Sequence, residues 1–438
     1  MTDSEDLRRS ILAQVAEYYR QVHRDQEFKP GYSRVQYAGR VFDEREMQNM
    51  VGAVLDFWLT AGPETEQFEQ RLSGILGARE VIPVNAGSSA NLVAVTALCS
   101  NQLRNGLRPG DEVIVPAASF PTTVNPIIQN RLIPVFIDSR LGDYNLDPAY
   151  LSEALGPRTK AIMFAHTLGN PADMDKITAF AREHSLFLLE DCCDALGSTW
   201  DGKQVGTFGN FGTLSFYPAH HITTGEGGAA FTSSRRLAKL ARAVRDWGRD
   251  CWCGYENPVN GKCGTRFERK TPGSTDYYDH RYFYTEIGYN LKLTDPHAAV
   301  GLAQLDKLAD FVSRRRANFA FLHQALEPYS EFLALPTWHE KANPSWFAMP
   351  LLVKETAPFS RYEITRYLES KNIETRPLFA GNVLRQPAYK AIDKRIVGDL
   401  PIADQIMSSV FFVGVYPGLG PRQLQYIVDM IDSFIRRL

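Results

Sequence analysis

Short apolar runs alternate with helical patterns as far as residue 232. Each run is four to six residues long, the length of a buried strand, and helices such as 174–183 lie between the runs. The runs cover residues 112–116, 132–137, 161–165, 186–189, 212–217 and 229–232. Apolar strands that alternate with helices are typical of a mostly parallel sheet covered on both faces. The pattern therefore predicts an α/β fold, in which ligands gather at the carboxyl ends of the strands.

The two ends of the chain show other patterns. From Ser4 to about His23, apolar residues at helical spacing predict an amphipathic helix. Later in the chain we predict a helix, a strand pair and two further helices, over residues 305–326, 346–353, 361–371 and 420–438. This second group resembles a smaller α/β domain beside the first. We therefore divide the chain into an N-terminal helical extension, a large domain and a small C-terminal domain, over residues 1–45, 46–308 and 309–438.

Composition narrows the class of protein. The chain has 438 residues, of which 44% are apolar and 22% are charged, as in an ordinary globular enzyme. Its 48 basic and 50 acidic residues nearly cancel, which gives no electrostatic case for nucleic acid or an anionic membrane. No apolar run approaches the roughly 20 residues that span a bilayer, and the N-terminus is acidic, unlike a signal peptide. We expect a cytoplasmic protein.

Three stretches place candidate ligand-binding residues after strands. Ser88 and Ser89 lie in a small-residue turn that begins a helix, where free N–H groups and hydroxyls suit a phosphate, although small residues begin many helices. Phe120 follows a buried strand and could stack on a heteroaromatic ring or belong to the core. Asp191 ends another strand, where a carboxylate can keep a pyridine nitrogen protonated or cap a helix.

The cysteines indicate a metal or redox site. The chain has six cysteines with uneven spacing, unlike a disulfide framework. Cys251 and Cys253 form a Cys-x-Cys pair, and Cys263 follows in a loop rich in Gly, Asn and Pro. Four thiolates suit a 2Fe-2S cluster or a tetrahedral zinc ion, the alternative is buried thiols, and spacing does not separate these readings. We assign Cys99, inside an apolar helix, to the core.

The stretch from Ser215 to Gly228 carries a family resemblance. It is a strand end, a tight turn and a loop closed by Gly225, Gly227 and Gly228. This resembles the lysine loop of the DegT/DnrJ sugar aminotransferases, in which Ser-Phe, three residues and a Lys precede a Gly-Gly. The resemblance extends over nearly the whole chain from about residue 45, through residues 58–68, 87–89, 120, 166–174, 191 and 288–295.

The resemblance implies a fold and a coenzyme site. It implies the fold-type I architecture of aspartate aminotransferase, normally a homodimer whose active sites lie at the subunit boundary, with pyridoxal phosphate (PLP) as coenzyme. The phosphate would be held by three hydroxyls, from Ser88, Ser89 and Ser215. Phe120 would stack on the ring, and Asp191 would pair with its nitrogen. Asp194 would lie near the ring hydroxyl, and Asn290 would reach the phosphate of the neighbouring subunit's coenzyme.

The chain departs from the family in two ways that occur together. His220 stands where the family has the lysine that forms a Schiff base with PLP, and an imidazole moves protons but forms no such bond. The cysteines are the second departure. Both resemble the CDP-4-keto-6-deoxy-D-glucose 3-dehydrase branch, whose 2Fe-2S ligands would correspond to Cys193, Cys251, Cys253 and Cys263. The interval before Cys263 is longer than in that branch, which leaves the fourth ligand open.

The branch implies a deoxygenation. Pyridoxamine phosphate (PMP) would be held noncovalently, and His220 would remove a proton from it as the C-3 hydroxyl of a nucleotide-linked 4-keto-6-deoxyhexose departs. Electrons would come from a separate NAD(P)H-dependent flavin and iron–sulfur reductase, in a pathway to 3,6-dideoxysugars such as those of lipopolysaccharide O-antigens. The alternatives are a PMP-dependent dehydratase with structural zinc and a catalytically inactive regulatory subunit. The nucleotide (CDP, dTDP or GDP) stays open, with Arg376 and Arg385 as candidate diphosphate ligands, and His221 is expected to contact phosphate or solvent.

Overall fold

Two larger sheets and the helices around them build the described part of the protein. The computed structural model describes residues 3–24, 27–251 and 264–437. The helices in this part are α1 Asp3–Val22, α2 Glu44–Asp56, α3 Pro63–Leu76, α4 Gly87–Leu98, α5 Pro121–Gln129, α6 Leu151–Ala154, α7 Met174–Glu183, α8 Arg235–Arg245, α9 Asp295–Leu326, α10 Arg361–Ser370, α11 Pro401–Ser409 and α12 Pro421–Ile435. The strands are β1 Glu80–Val84, β2 Glu112–Pro116, β3 Ile133–Ile137, β4 Thr159–Ala165, β5 Phe187–Asp191, β6 Thr199–Trp200, β7 Lys203–Gln204, β8 Phe211–Ser215, β9 Gly228–Thr232, β10 Arg269–Lys270, β11 Tyr277–Tyr278, β12 Leu333–Ala334, β13 Ala342–Asn343, β14 Ala348–Val353, β15 Arg376–Pro377, β16 Arg395–Ile396 and β17 Val410–Gly414.

The larger sheet has eight strands in the order β1-β9-β8-β5-β4-β2-β3-β16. The pairings from β8 to β16 are parallel, and β9 runs antiparallel to both of its neighbours. Alternate residues of one strand enter different cores: Val113 and Val115 lie on one face of the sheet and Ile114 on the other. Burial on both faces explains why these strands read as unbroken apolar runs. The α/β prediction is confirmed.

The smaller sheet is antiparallel, with strand order β12-β14-β17-β15. Its core also contains Phe28 and Val35 from the N-terminal part of the chain. Helix α9 crosses the predicted boundary between residues 308 and 309 without a break, and β16 adds an edge strand to the larger sheet. The division into three domains remains a prediction, because the two sheets share these elements.

Two helices begin earlier than their patterns indicated. Helix α4 starts at Gly87, so the small residues Gly87, Ser88 and Ser89, expected in a turn before the helix, form its first turn. Helix α9 starts at Asp295 and not at residue 305. Its first turns are mostly small residues, whose burial gives little apolar periodicity. The sequence pattern therefore detected the helices but not their N-terminal turns.

The N-terminal helix α1 lies on the surface. None of its residues is buried, and it packs against α2. The Arg8 guanidinium donates to Asp56 Oδ2 at 2.8 Å, and the Tyr19 hydroxyl donates to the Phe42 carbonyl oxygen at 3.0 Å. In the part of the chain that the structure describes, no helix combines the length and the apolar character needed to cross a membrane.

The buried carboxylate of Asp295, the first residue of α9, accepts hydrogen bonds from the start of α3. Asp295 Oδ1 accepts from the backbone N–H of Gly62 at 2.6 Å and of Thr65 at 3.1 Å, and from the Thr65 hydroxyl at 2.6 Å. Asp295 Oδ2 accepts from the Glu64 N–H at 3.2 Å. These N–H groups are the first of α3, which have no partners within the helix. Asp295 therefore caps α3 from a distant helix.

We expect Asp295→Ala to lower the free energy of unfolding by about 3 kcal/mol, because several buried donors lose a charged acceptor at once. The measurement is urea unfolding followed by circular dichroism at fixed protein concentration. Asp310→Ala is the matched control on the same helix: this carboxylate is 57% exposed and pairs with Arg314. The control should change stability by less than about 0.5 kcal/mol. Equal losses in the two variants would contradict the capping role.

Candidate active site

A cavity of about 880 Å³ opens at the carboxyl ends of the central parallel strands. Ala165, Asp191 and Ser215, the last residues of β4, β5 and β8, lie in its wall. Seven of the sequence-predicted site residues line it together: Ser88, Phe120, Asp191, Cys193, Asp194, Ser215 and His220. The opposite wall comes from the smaller sheet and the segments that follow it, through Phe347, Arg376, Phe379 and Phe412. The cavity therefore lies between the two sheets.

One end of the cavity is the N-terminus of α4. Ser88 and Ser215 line it, while Ser89 lies half-buried in the same first turn and outside the wall. A Cβ atom on Gly87 would lie 2.5 Å from Ser215 Cβ and 3.1 Å from Cys193 Sγ, so only glycine lets β8 approach the helix this closely. The helix N-terminus adds N–H groups and a positive partial charge to the two hydroxyls. This corner fits a phosphate.

Asp191 is held in one orientation. Its Oδ2 accepts from Asn91 Nδ2 and from the Thr123 hydroxyl, both at 2.8 Å, and its Oδ1 accepts from the Cys193 N–H at 3.1 Å. Asn91 is itself fixed, because its Oδ1 accepts from the Thr213 hydroxyl at 2.6 Å. The carboxylate is almost fully buried and faces the cavity. A cationic ring nitrogen is the kind of partner such a carboxylate stabilises.

The residue before Asp191 anchors the loop beside it. Glu190 accepts from the backbone N–H groups of Gly206 at 2.7 Å, Phe208 at 2.9 Å and Gly209 at 2.7 Å. It also lies 3.2 Å from Nε2 of the buried His166. Nδ1 of His166 accepts from the Ala172 N–H at 3.1 Å, so Nε2 carries the proton and donates to Glu190. This network keeps the end of β5 rigid beneath the cavity.

His220 points into the cavity from the loop after β8. Its Nδ1 lies 3.2 Å from Asp194 Oδ1, an ion-pair distance, though the alignment is too poor for a hydrogen bond. Its ring centroid is 5.5 Å from that of Phe347, and its backbone N–H donates to the Tyr217 carbonyl at 2.9 Å. No lysine is among the described residues that line the cavity. The imidazole is therefore the candidate base of this site.

A buried arginine fixes the backbone of His220. Arg315 of α9 is 1% exposed and donates to the carbonyl oxygens of His220 at 3.0 Å, Phe347 at 3.1 Å and Trp346 at 3.3 Å. Burial lowers the pKa of Arg315 to about 9, although the Asp194 carboxylate acts in the opposite direction. One side chain thus joins the histidine loop to the segment that enters β14 of the smaller sheet.

His221 is a structural residue and contacts neither phosphate nor solvent, contrary to expectation. Its ring is buried, and Nε2 donates to the Ser345 carbonyl oxygen at 2.8 Å. Nδ1 is buried without a hydrogen-bond partner. Burial, with the nearby Arg315 charge, holds the pKa of His221 well below its usual range. The alternation of two adjacent histidines, one facing the cavity and one facing the core, could not be read from the sequence.

The aromatic side of the cavity includes Phe120. This side chain is 48% exposed, and its ring packs edge-on against Phe379 with centroids 5.8 Å apart. Phe120 is therefore not a core residue, and its half-exposed side chain lies in the cavity wall. Its stacking on a coenzyme ring remains a prediction.

Two of the four predicted cluster ligands are described. Cys193 lies in the cavity wall, and burial beside the Asp191 carboxylate raises the pKa of its thiol well above the usual range. Cys251 is partly exposed, just after α8. Cys253 and Cys263 lie outside the described residues. Within the described ranges no group of three or more His, Cys, Asp or Glu side chains is arranged to hold a metal ion. The ligand set stays a prediction.

Asn290 lies away from the cavity of its own chain. It is exposed, and its Oδ1 accepts from Lys292 Nζ at 2.7 Å. Lys292 Nζ also lies 3.6 Å from the centre of the Trp247 ring. An exposed position outside the cavity is what the role predicted for Asn290, in a neighbouring subunit's site, requires. That role remains a prediction.

Sequence reasoning missed the residues that hold others in place. Asn91 and Thr123 orient Asp191, and Arg315 holds the His220 loop. A signal for Arg315 was present: it occupies a position of the apolar stripe of α9, between Val312 and Phe319. A charge on the buried face of a helix indicates a specific partner, because it is costly to bury alone. Nothing in the pattern indicated which carbonyls it would reach.

Comparisons with known proteins show what this chain resembles in sequence and fold. The model of the DegT/DnrJ/EryC1/StrS aminotransferase family matches residues 41–432. The chain is 48% identical over 432 residues to the lipopolysaccharide biosynthesis protein RfbH of Salmonella typhimurium, covering 98% of each chain. It is 44% identical over 436 residues to the dTDP-4-dehydro-2,6-dideoxy-D-glucose 3-dehydratase of Saccharopolyspora spinosa, covering 99% of this chain and 93% of that protein. A structure of E. coli GDP-4-keto-6-deoxy-D-mannose-3-dehydratase with bound hydrated PLP superposes with a TM-score of 0.82 at 28% identity, over 90% of this chain and 98% of that one.

The buried His221 predicts a pH dependence of stability. Its lowered pKa keeps it neutral in the folded protein, while in the unfolded chain it takes up a proton below about pH 6.5. The unfolded state then binds more protons, so stability falls as the pH falls below that value. Relative to His221→Gln, the wild type should lose about 1.4 kcal/mol per pH unit in this range.

Urea unfolding between pH 7 and pH 5 measures this difference. His184→Gln is the control for removing an imidazole from a partly exposed site. The same slope for wild type and His221→Gln would show that His221 takes up a proton in the folded protein.

Proposed function

Because the chain belongs to the DegT/DnrJ/EryC1/StrS aminotransferase family, we propose that it is a PMP-dependent 3-dehydrase. It removes the C-3 hydroxyl of a nucleotide-linked 4-keto-6-deoxyhexose in 3,6-dideoxysugar biosynthesis. One observation carries the proposal: His220, beside Asp194, lies in the coenzyme cavity where an aminotransferase needs a lysine. The relatives named as 3-dehydratases support the same reaction class.

The donor set of the cavity fits PMP. Ser88 and Ser215, with Ser89 in the same helical turn, would hold the phosphate at the N-terminus of α4. Asp191 is a buried, oriented carboxylate suited to the ring nitrogen, and Phe120 offers a half-exposed aromatic side chain in the cavity wall. Asp194 would lie near the ring hydroxyl.

PMP, when bound, supplies an amine that condenses with the 4-keto group and a ring that accepts an electron pair. The protein's part is to move protons. Asp194 lies beside Nδ1 of His220, so Nε2 would be the atom that accepts a proton as the base and donates one to the departing C-3 hydroxyl. Arg315 keeps the His220 carbonyl in place, so the imidazole is oriented before the substrate arrives.

Reduction is a separate part of the proposal. His220 and Asp194 exchange protons only, whereas a deoxygenated sugar requires two electrons. We propose that Cys193, Cys251, Cys253 and Cys263 bind a 2Fe-2S cluster that an external NAD(P)H-dependent flavin and iron–sulfur reductase recharges. The position of Cys193 in the cavity wall supports a redox centre close to the reaction. We further propose a cytoplasmic homodimer, in which Asn290 serves the neighbouring coenzyme.

The proposed function also includes the identity of the sugar nucleotide that serves as substrate. We propose CDP-4-keto-6-deoxy-D-glucose, on the resemblance of the cysteine and histidine motifs to that branch. The names of similar relatives specify other nucleotides, dTDP with a 2-deoxy sugar and GDP with a mannose-derived one. Turnover assays with the three nucleotide-linked sugars decide between them.

We expect His220→Asn to lower the dehydration rate at least about 100-fold, because an amide cannot act as a base, while the affinity for PMP changes little. His184→Asn, on the surface between α7 and β5, is the matched control and should keep the wild-type rate. His220→Lys should bond covalently to the PLP aldehyde and keep PLP after borohydride reduction and denaturation. A His220→Asn variant with normal turnover would contradict the proposed base.

The cluster predicts a spectrum. Anaerobically purified protein should contain about two irons per chain and gain one unpaired spin per chain on reduction, detected by EPR. Cys193→Ser should lose most of this signal. Cys99→Ser is the matched control, because Cys99 follows α4 and burial raises the pKa of its thiol to about 12. A colourless protein with stoichiometric zinc would rule out the proposed 2Fe-2S cluster, while the proposed dehydration at His220 would stand.

A further inference from the structure

The active-site cavity is poor in positive charge. Of the described residues that line it, three are carboxylates, Asp191, Asp194 and Glu226, and only Arg376 is a permanent cation. A nucleotide-linked sugar carries two phosphate charges that such a wall would repel. Arg376 is therefore the permanent cation that the described wall of this chain offers to an anionic substrate.

Arg376 is oriented before any ligand binds. Its guanidinium stacks on the Tyr37 ring, 4.5 Å from the ring centre, and its Nη1 donates to the Thr375 carbonyl oxygen at 2.8 Å. Tyr37 is in turn fixed edge-on against Phe412, with centroids 5.7 Å apart. The stack lies in the wall that the smaller sheet contributes, and 42% of the Arg376 side chain is exposed.

Two carboxylates lie at ion-pair distance from Arg376 but accept no hydrogen bond from it. Glu374 Oε1 lies 3.7 Å from Nη2 and Glu369 Oε1 lies 4.0 Å from Nη1, both too far for hydrogen bonds. Glu374 already pairs with Arg34 and accepts from the Tyr37 N–H at 3.1 Å. Glu369 accepts from the Thr375 N–H at 2.7 Å. Both acids also accept from other donors, so Arg376 shares them, and no carboxylate is hydrogen-bonded to the guanidinium fork where an incoming anion would bind.

We propose that Arg376, stacked on Tyr37, binds the diphosphate of the nucleotide-linked substrate. The inference rests on the proposed function, which requires a substrate of that chemistry. Planar guanidinium donors match the spacing of phosphate oxygens. The phosphate of the coenzyme would be the other anion in the cavity, and the N-terminus of α4, on the wall formed by the larger sheet, would hold it.

Arg385, the other arginine that the sequence suggested, does not belong to this site. Its Nε donates to Asp404 Oδ1 at 2.8 Å, it is 58% exposed, and it is absent from the described lining of the cavity. It lies nine positions after Arg376 in the same part of the chain. Arg385→Gln is therefore a matched control for the loss of one positive charge near the cavity.

The test is the binding of CDP, dTDP and GDP to the PMP-loaded protein, measured by isothermal titration calorimetry. For the nucleoside diphosphate that the wild type binds best, Arg376→Gln should raise the Kd roughly 10- to 100-fold, the effect expected for lost hydrogen bonds to a charged group. The Kd of Arg376→Lys should lie between those of the wild type and Arg376→Gln, because lysine keeps the positive charge but has neither the two-pronged donor geometry nor the planar group that stacks on Tyr37. Arg385→Gln should match the wild type.

A second pair of variants tests the stack. Tyr37→Phe keeps the ring under the guanidinium and should bind like the wild type, whereas Tyr37→Leu should weaken binding several-fold. PMP affinity, measured by fluorescence quenching, should be the same in Arg376→Gln and wild type.

The binding results test the proposed substrate class and the role of Arg376 separately. If the wild type binds none of the three nucleoside diphosphates, the proposed substrate class fails. If it binds one and Arg376→Gln binds that one equally well, the function stands and the assignment of Arg376 is wrong. A fall in PMP affinity without a change in nucleotide affinity would assign Arg376 to the coenzyme phosphate and overturn the proposal.

Discussion

The site depends on a single buried cation, the guanidinium of Arg315. Burial of an unpaired charge would cost several kcal/mol, yet Arg315 is 1% exposed because three carbonyl oxygens accept its N–H groups. One of these carbonyls belongs to His220, and the other two belong to the segment that enters β14 of the smaller sheet. The histidine loop and the smaller sheet therefore share one hydrogen-bond centre, and neither can shift without leaving a buried charge unsatisfied.

Residues from both sheets line the cavity. The larger sheet supplies Asp191, Ser215 and the N-terminus of α4, each held by hydrogen bonds or close backbone packing. The smaller sheet supplies Phe412 and Arg376 on the facing wall. A ligand with an aromatic ring, a phosphate and a further diphosphate would contact both walls at once. Rigid groups that are oriented beforehand lose little entropy on binding, which favours catalysis by position.

The two adjacent histidines of the loop, His220 and His221, face different surroundings. His220 faces the cavity and Asp194, while His221 faces the core and donates to the Ser345 carbonyl. Both side chains are imidazoles, so only their surroundings distinguish the ring that faces the cavity from the ring that donates within the core. Burial sets the pKa of His221 well below its usual range, and the buried ring also anchors the loop from which His220 projects.

The sequence by itself determined the class of fold and several residues of the cavity wall. Apolar runs such as 112–116 are buried on both faces, and this pattern is local enough to be read without the structure. Asp191 was placed at the ligand site because parallel strands end at one edge of a sheet, and Ser215 was placed there by the family resemblance. Family resemblance added the meaning of His220, which no pattern of spacing provides.

Only the tertiary structure showed which residues hold the cavity-lining side chains in place by hydrogen bonds. Asn91 and Thr123 meet Asp191 from distant parts of the chain, and Arg315 reaches His220 across 95 positions. Arg376 and Arg385 look alike in the sequence, but one faces the cavity over Tyr37 and the other pairs with Asp404. Local periodicity reports whether a residue is buried, whereas long-range hydrogen bonds depend on how whole elements pack, which no short window of sequence contains.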